Sequence, residues 1–207
     1  MSDRTFAESA ELAFEILEAD PDASDRRLAG LTLTEDDREA LRDLHSALGV
    51  HWPALVDALL EHLATLPGAT GPGADTDTLM VRQRLLDHLG DLAHADFDAP
   101  YVLERIRDAL DLRAAGTTAE TMLAAVTWIT QAALPFCIEA AAGDAGRAAR
   151  WSTAFVKALA FDLSTGLETL RSCDVRVLES QRRFTDLLIE TLPDGVLLVA
   201  ADGIVRT

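Results

Sequence analysis

Aromatic residues are scarce, 5% of the 207 positions, and alanine and leucine are abundant in their place. Strands draw on aromatic and β-branched side chains, so this composition points to helix. Cysteine is nearly missing. Cys137 and Cys173 are the only two, which excludes a disulfide framework and matches a reducing, cytoplasmic setting. Basic residues are outnumbered, 18 Lys and Arg against 35 Asp and Glu, for a formal net charge of -17. Nucleic acid and anionic lipid both require a basic face, so neither is expected as a partner. No uninterrupted apolar run approaches the ~20 residues of a membrane span. Met1-Ser2-Asp3-Arg4 opens without the apolar core of a signal peptide. No Walker loop, dinucleotide fingerprint or ordered Ser-His-Asp set occurs, so this stretch is expected to carry no enzyme activity of its own. No internal repeat is present.

What is there is a series of amphipathic helices. Hydrophobic content reaches 49%, enough for a sizeable core. Residues 5–20 carry Phe6, Leu12, Phe14, Ile16 and Leu17 and read as a first helix, followed by a polar connector at 21–33. Thr34 with Asp37 three residues on makes a capping box, and Leu41, Leu44 and Leu48 follow at helical spacing. Pro53 opens the next helix, whose apolar face runs from Leu55 to Leu66. Residues 68–77 (GATGPGADTD) are the clearest loop. Helices are then expected over 78–92, 100–115 and 118–142, the last kinked at Pro135. Leu159, Leu163, Leu167, Leu170, Val177, Phe184, Leu188 and Leu192 recur every three to four residues or at their multiples, which predicts one long helix over 145–192. Pro193-Asp194-Gly195 then introduces VLLVAADGIVRT, a strand, an Asp-Gly turn and a second strand.

Few side chains carry obvious chemistry. His45 and His51 are six apart, as are His88 and His94, and His62 stands alone. None forms the i, i+4 pair of a helical metal site, so no metal is expected and the histidines read as helix-surface residues. The acidic pairs Asp36–Asp37, Asp57–Glu61 and Asp96–Asp98 sit at helix starts or on outer faces, where they favour the helix dipole. Cys137 and Cys173 read as small packing residues.

Three segments, taken together, resemble a known family. Leu33-Thr34-Glu35-Asp36-Asp37, Val56-Asp57-Ala58-Leu59-Leu60-Glu61-His62-Leu63 and Phe97-Asp98-Ala99-Pro100-Tyr101-Val102 occur in the order and spacing of the sensor-globin (protoglobin-like) domain of bacterial globin-coupled sensors. The tail LPDGVLLVAADGIVRT is similar to the first strand and turn of a PAS domain. The resemblance implies an all-α, globin-like helical sandwich, a long C-terminal signalling helix and the opening hairpin of a PAS domain, cut short. It implies residues 1–30 as N-terminal helix and connector, 31–171 as sensor globin, 172–192 as signalling coiled coil and 193–207 as the start of PAS.

The family normally holds haem, and the resemblance places its proximal histidine at Leu112 and its distal tyrosine at Leu60. Leucine offers iron no ligand, so a member without haem is expected, with no cofactor or with an apolar ligand such as a fatty acid. Leu60, Leu89, Leu112, Met122 and Trp128 are the expected pocket residues. Sensor globins dimerise through their last two helices, which places Trp151, Phe155, Leu159, Leu163, Leu167 and Leu170 at a homodimer seam. The implied role is signal input to an output domain in the same chain, a histidine kinase first and a diguanylate cyclase second. Two other readings stay open: a haem-based gas sensor using His62, His88 or His94, and a dimerisation scaffold with no ligand.

Overall fold

The computed structural model describes residues 11–16, 18, 20, 22–65, 78–94, 96–191, 198–199 and 205–206. The expected helix start at 5–10 and the loop at 68–77 lie outside them. After a short helical stretch at 11–16, the elements are α1 (Ala23–Leu31), α2 (Glu35–Leu48), α3 (Trp52–Ala64), α4 (Thr78–His94), α5 (Ala99–Ala114), α6 (Ala119–Ala140) and α7 (Ala145–Thr191). Two short strands follow, β1 (Leu198–Val199) and β2 (Val205–Arg206), paired antiparallel with Leu198 opposite Arg206. The fold is all-α and globin-like.

The expected connector at 21–33 is in part a helix, α1. Its charge density and Gly30 obscured it, because no residue of α1 is fully buried. It is held from outside: Arg26 pairs with Asp20, and Arg27 pairs with Glu168 on α7. Thr32 ends it in the left-handed region at φ 49°.

The capping box at the start of α2 forms as its sequence predicts. The Thr34 N–H donates to Asp37 Oδ2 at 2.8 Å, and the Asp37 N–H donates back to Thr34 Oγ1 at 3.4 Å. Asp37 has a second task. Lys157 of α7 donates to its Oδ2 at 2.8 Å and to the Thr32 carbonyl at 2.9 Å. One ammonium thus ties α7 to the corner between α1 and α2.

Helices α2 and α3 each pack on α4 and α6. Leu41, Leu44 and Leu48 of α2 and Trp52, Leu55, Val56 and Leu59 of α3 are buried at the helical period. Trp52 stacks on Phe155 of α7 with ring centroids 5.9 Å apart. Phe97, between α4 and α5, is buried with φ 54°, a conformation costly for a bulky residue. Its ring stands edge-on to Tyr101 at 5.2 Å and to Phe161 at 5.1 Å. Asp98 caps α5 by accepting from the Tyr101 N–H at 3.0 Å.

Helix α6 passes through Pro135 as one element. By length and composition it is long and apolar enough to cross a membrane, with mean hydropathy 1.5 over its most apolar window, of which 17% is buried. Thr121, Thr127, Thr130 and Gln131 break up the apolar run in the sequence without breaking the average. Its fully buried residues, Ile129, Ala133 and Cys137, form a single ridge four residues apart. The chain divides into two units, Met1–Leu170 and Arg171–Thr207.

Burial raises the Asp37 carboxyl, and its bonds with Lys157 and Thr34 outweigh that, holding it below the usual carboxylate value. A depressed acid stabilises the fold above its unfolded value of about 4 and ceases to as pH falls through its folded value. Asp37→Asn is therefore expected to cost about 1–2 kcal/mol at pH 7 in urea unfolding. That difference is expected to shrink as the titration is repeated below pH 4.

Candidate functional site

The residues expected to line a pocket fall in several places. Leu89 on α4 is buried, Leu60 on α3 is half-buried, and Leu112 on α5 is 41% exposed. Leu112 opens to solvent rather than to an enclosed space. Met122 of α6 reaches α7 at Gly166: a Cβ at position 166 would overlap the Met122 Cε and lie 3.9 Å from the Ala109 Cβ. The missing side chain at Gly166 therefore makes the notch in which the end of Met122 sits, beside Ala109 of α5. Trp128 of α6 is half-buried and stacks on His62 of α3, centroids 5.6 Å apart and planes 19° apart.

The six residues expected at a dimer seam divide in two. Trp151, Phe155, Leu159 and Leu170 are 1–6% exposed within this one chain and belong to its own core. Leu163 and Leu167 are half-exposed. Trp151, Phe155 and Leu159 lie four residues apart on the inward stripe of α7. An outward stripe, Val156, Ala160, Leu163 and Leu167, runs beside it, and Val156 is 43% exposed.

A polar cluster that the sequence did not announce lies between α4, α5 and α7. Asp162 of α7 is buried, its side chain 8% exposed. The Tyr101 hydroxyl of α5 donates across both carboxylate oxygens, at 2.8 and 2.9 Å. His88 of α4 brings Nε2 to 3.1 Å from Oδ2. Arg105, one turn beyond Tyr101, is 5% exposed and lies with its Cζ 5.0 Å over the Tyr101 ring. Its Nη2 is 3.4 Å from Asp91 and from Asp108, and its Nε and Nη1 have no hydrogen-bond partner.

Burial pushes the Asp162 carboxyl up to about 7, against the pull of Arg105 and of the Tyr101 hydroxyl. Burial also raises Asp108 to about 6, with Arg105 opposing. Tyr101 is raised by burial and then by the Asp162 charge, so its proton stays on the phenol. Beside the cluster a cavity of about 280 Å³ is lined by Asp91, His94, Asp96, Asp98, Tyr101, Glu104 and Arg105.

The remaining histidines have aromatic or imidazole neighbours. The Trp52 indole N–H donates to His45 Nδ1 at 3.2 Å, and His45 meets His94 edge-on at 5.6 Å. His51 lies 5.2 Å from Phe136. Among the described residues no group of three His, Cys, Asp or Glu is placed to hold a metal ion.

The protoglobin family model matches residues 20–170. The chain belongs to the protoglobin family. A protoglobin domain is a sensor and not a catalyst in itself. No curated protein matches the chain. Leucine stands at both positions where the family resemblance puts iron-facing groups, and Leu112 faces solvent. His88 points to a carboxylate and His62 stacks on an indole.

Sequence reasoning placed the histidines on helix surfaces and gave Tyr101 and Arg105 no role. Two signals were present. Tyr101 and Arg105 are i, i+4 on one helix face. Asp162 is an acid inside an otherwise apolar row, between Phe161 and Leu163. Tyr101→Phe is expected to destabilise the domain by about 1.5–3 kcal/mol, the value of a hydrogen bond to a charged group. Chemical unfolding above pH 8, where Asp162 is ionised, measures it.

Proposed function

We propose that this protoglobin domain is the sensory input of a bacterial signal-transduction protein, that it works without haem, and that it acts as a homodimer in the cytoplasm. The observation that carries the reading is α7. It is one unbroken helix of 47 residues. Its first half builds the globin core, and its second half presents Val177, Leu178, Phe184 and Leu187 at 49–64% exposure. Val177 and Phe184 are spaced seven apart, the period of a two-helix seam. An apolar row on a lone helix is stable when a second copy covers it.

The half-open face of α6 supports the same partner. Leu123 and Ile138 are 53% and 63% exposed, and the outward stripe of α7 supplies Val156, Leu163 and Leu167. Two such helix pairs make a four-helix bundle. An apolar ligand such as a fatty acid, or a change in packing alone, shifts this bundle between two arrangements. The second half of α7 relays the shift to PAS and to an output domain, with histidine kinase first and diguanylate cyclase second.

Light scattering on the purified chain tests the dimer. The expected mass is twice 22.3 kDa. Val156→Glu with Leu163→Glu is expected to halve it while helicity is retained. A wild-type monomer at tens of micromolar overturns the relay. Absorption after haem addition tests the other half: no stoichiometric Soret band is expected, and a band abolished by His62→Ala overturns it.

A further inference from the structure

We propose that Tyr101, Asp162 and His88 form a proton-responsive latch that fastens α7 to α4 and α5, so that this domain reads protonation as a signal. The inference rests on the reading of α7 as the output helix. It goes beyond that reading by naming an input that requires neither haem nor a bound organic ligand.

Geometry puts the latch where a signal must pass. Asp162 sits on α7 eight residues before Leu170, where the first unit ends. Its carboxyl is the only polar side-chain link that the described contacts show between α7 and both α4 and α5 at once. The groups facing it are His88 from α4 and Tyr101 and Arg105 from α5, with Asp91 and Asp108 behind Arg105. The cavity beside Tyr101 and Arg105 brings a polar lining to the edge of this buried cluster, which gives protons a way in.

The two protonation states differ in what they hold. The neutral acid needs no counter-charge and keeps the Tyr101 hydroxyl as a donor. The carboxylate is a buried charge answered by the Tyr101 hydroxyl and, only while His88 is protonated, by a cation at 3.1 Å; Arg105 engages Asp91 and Asp108 rather than Asp162, and two of its nitrogens are unpartnered. A buried charge without full pairing weakens the packing around it.

The sign follows. A folded value raised to about 7 lies above the unfolded value of about 4, so this group favours the fold at low pH. The preference is lost as pH rises through neutrality. Between pH 6 and pH 8 the loss amounts to about tenfold in the local closing equilibrium.

The test uses the wild-type chain with carbon-13 carboxyl NMR and amide hydrogen exchange corrected for intrinsic rates. The Asp162 carboxyl is expected to titrate near pH 7. Protection in α7 around Asp162 is expected to fall about tenfold from pH 6 to pH 8, and Asp162→Asn is expected to hold it constant. Should that variant fail to fold, Tyr101→Phe serves, with the Asp162 midpoint expected to move higher. A midpoint below pH 5, protection independent of pH in the wild type, or the same loss in Asp162→Asn overturns the latch. These readings are taken within one chain, so a monomeric wild type leaves them intact and a failed latch leaves the dimer intact.

Discussion

The inward face of α7 is the constraint on which the domain depends. Five contacts within the helical sandwich end on α7: Phe155 under Trp52, Phe161 against Phe97, Lys157 on Asp37, Glu168 on Arg27 and Asp162 on Tyr101. The apolar pairs supply the non-directional part of the stabilisation, which scales with buried area. The polar contacts supply direction. Lys157 sets where α2 begins relative to α7, and Asp162 sets the rotation of α5 about its own axis. A helix that must satisfy both kinds of partner has little freedom to slide.

The helical plan was legible from spacing. The Thr34–Asp37 box, the Leu41–Leu44–Leu48 ridge and the start of α7 at Ala145 follow from local rules that tertiary structure did not override. The first short helix was not legible, because α1 buries nothing fully and depends on ion pairs to Asp20 and Glu168. Residues 193–197 and 200–204, which carry most of the PAS resemblance, lie outside the described residues. Of that segment, Leu198 pairs with Arg206 and Val199 with Val205, antiparallel.

The site was less legible than the fold, and for a physical reason. Sequence spacing reports which residues share a face of one helix. The polar cluster uses one or two residues from each of three helices, with His88, Tyr101 and Asp162 far apart in sequence. Alternation alone also could not divide the apolar residues of α7 between two faces. Trp151, Phe155 and Leu159 turn inward while Leu163 and Leu167 are half-exposed, although all five were expected on one seam.

Phe97 carries a last consequence, and it concerns the order of events in folding. A left-handed backbone at a phenylalanine is not self-supporting; local sequence gives it no reward. The compensation comes from Phe161, 64 residues away in the chain, and from Tyr101 on the next helix. Part of that compensation, the Phe161 contact, exists only with α7 in place. Closing that contact spans 64 residues of chain, so this corner carries a larger loop-closure cost than the helices beside it.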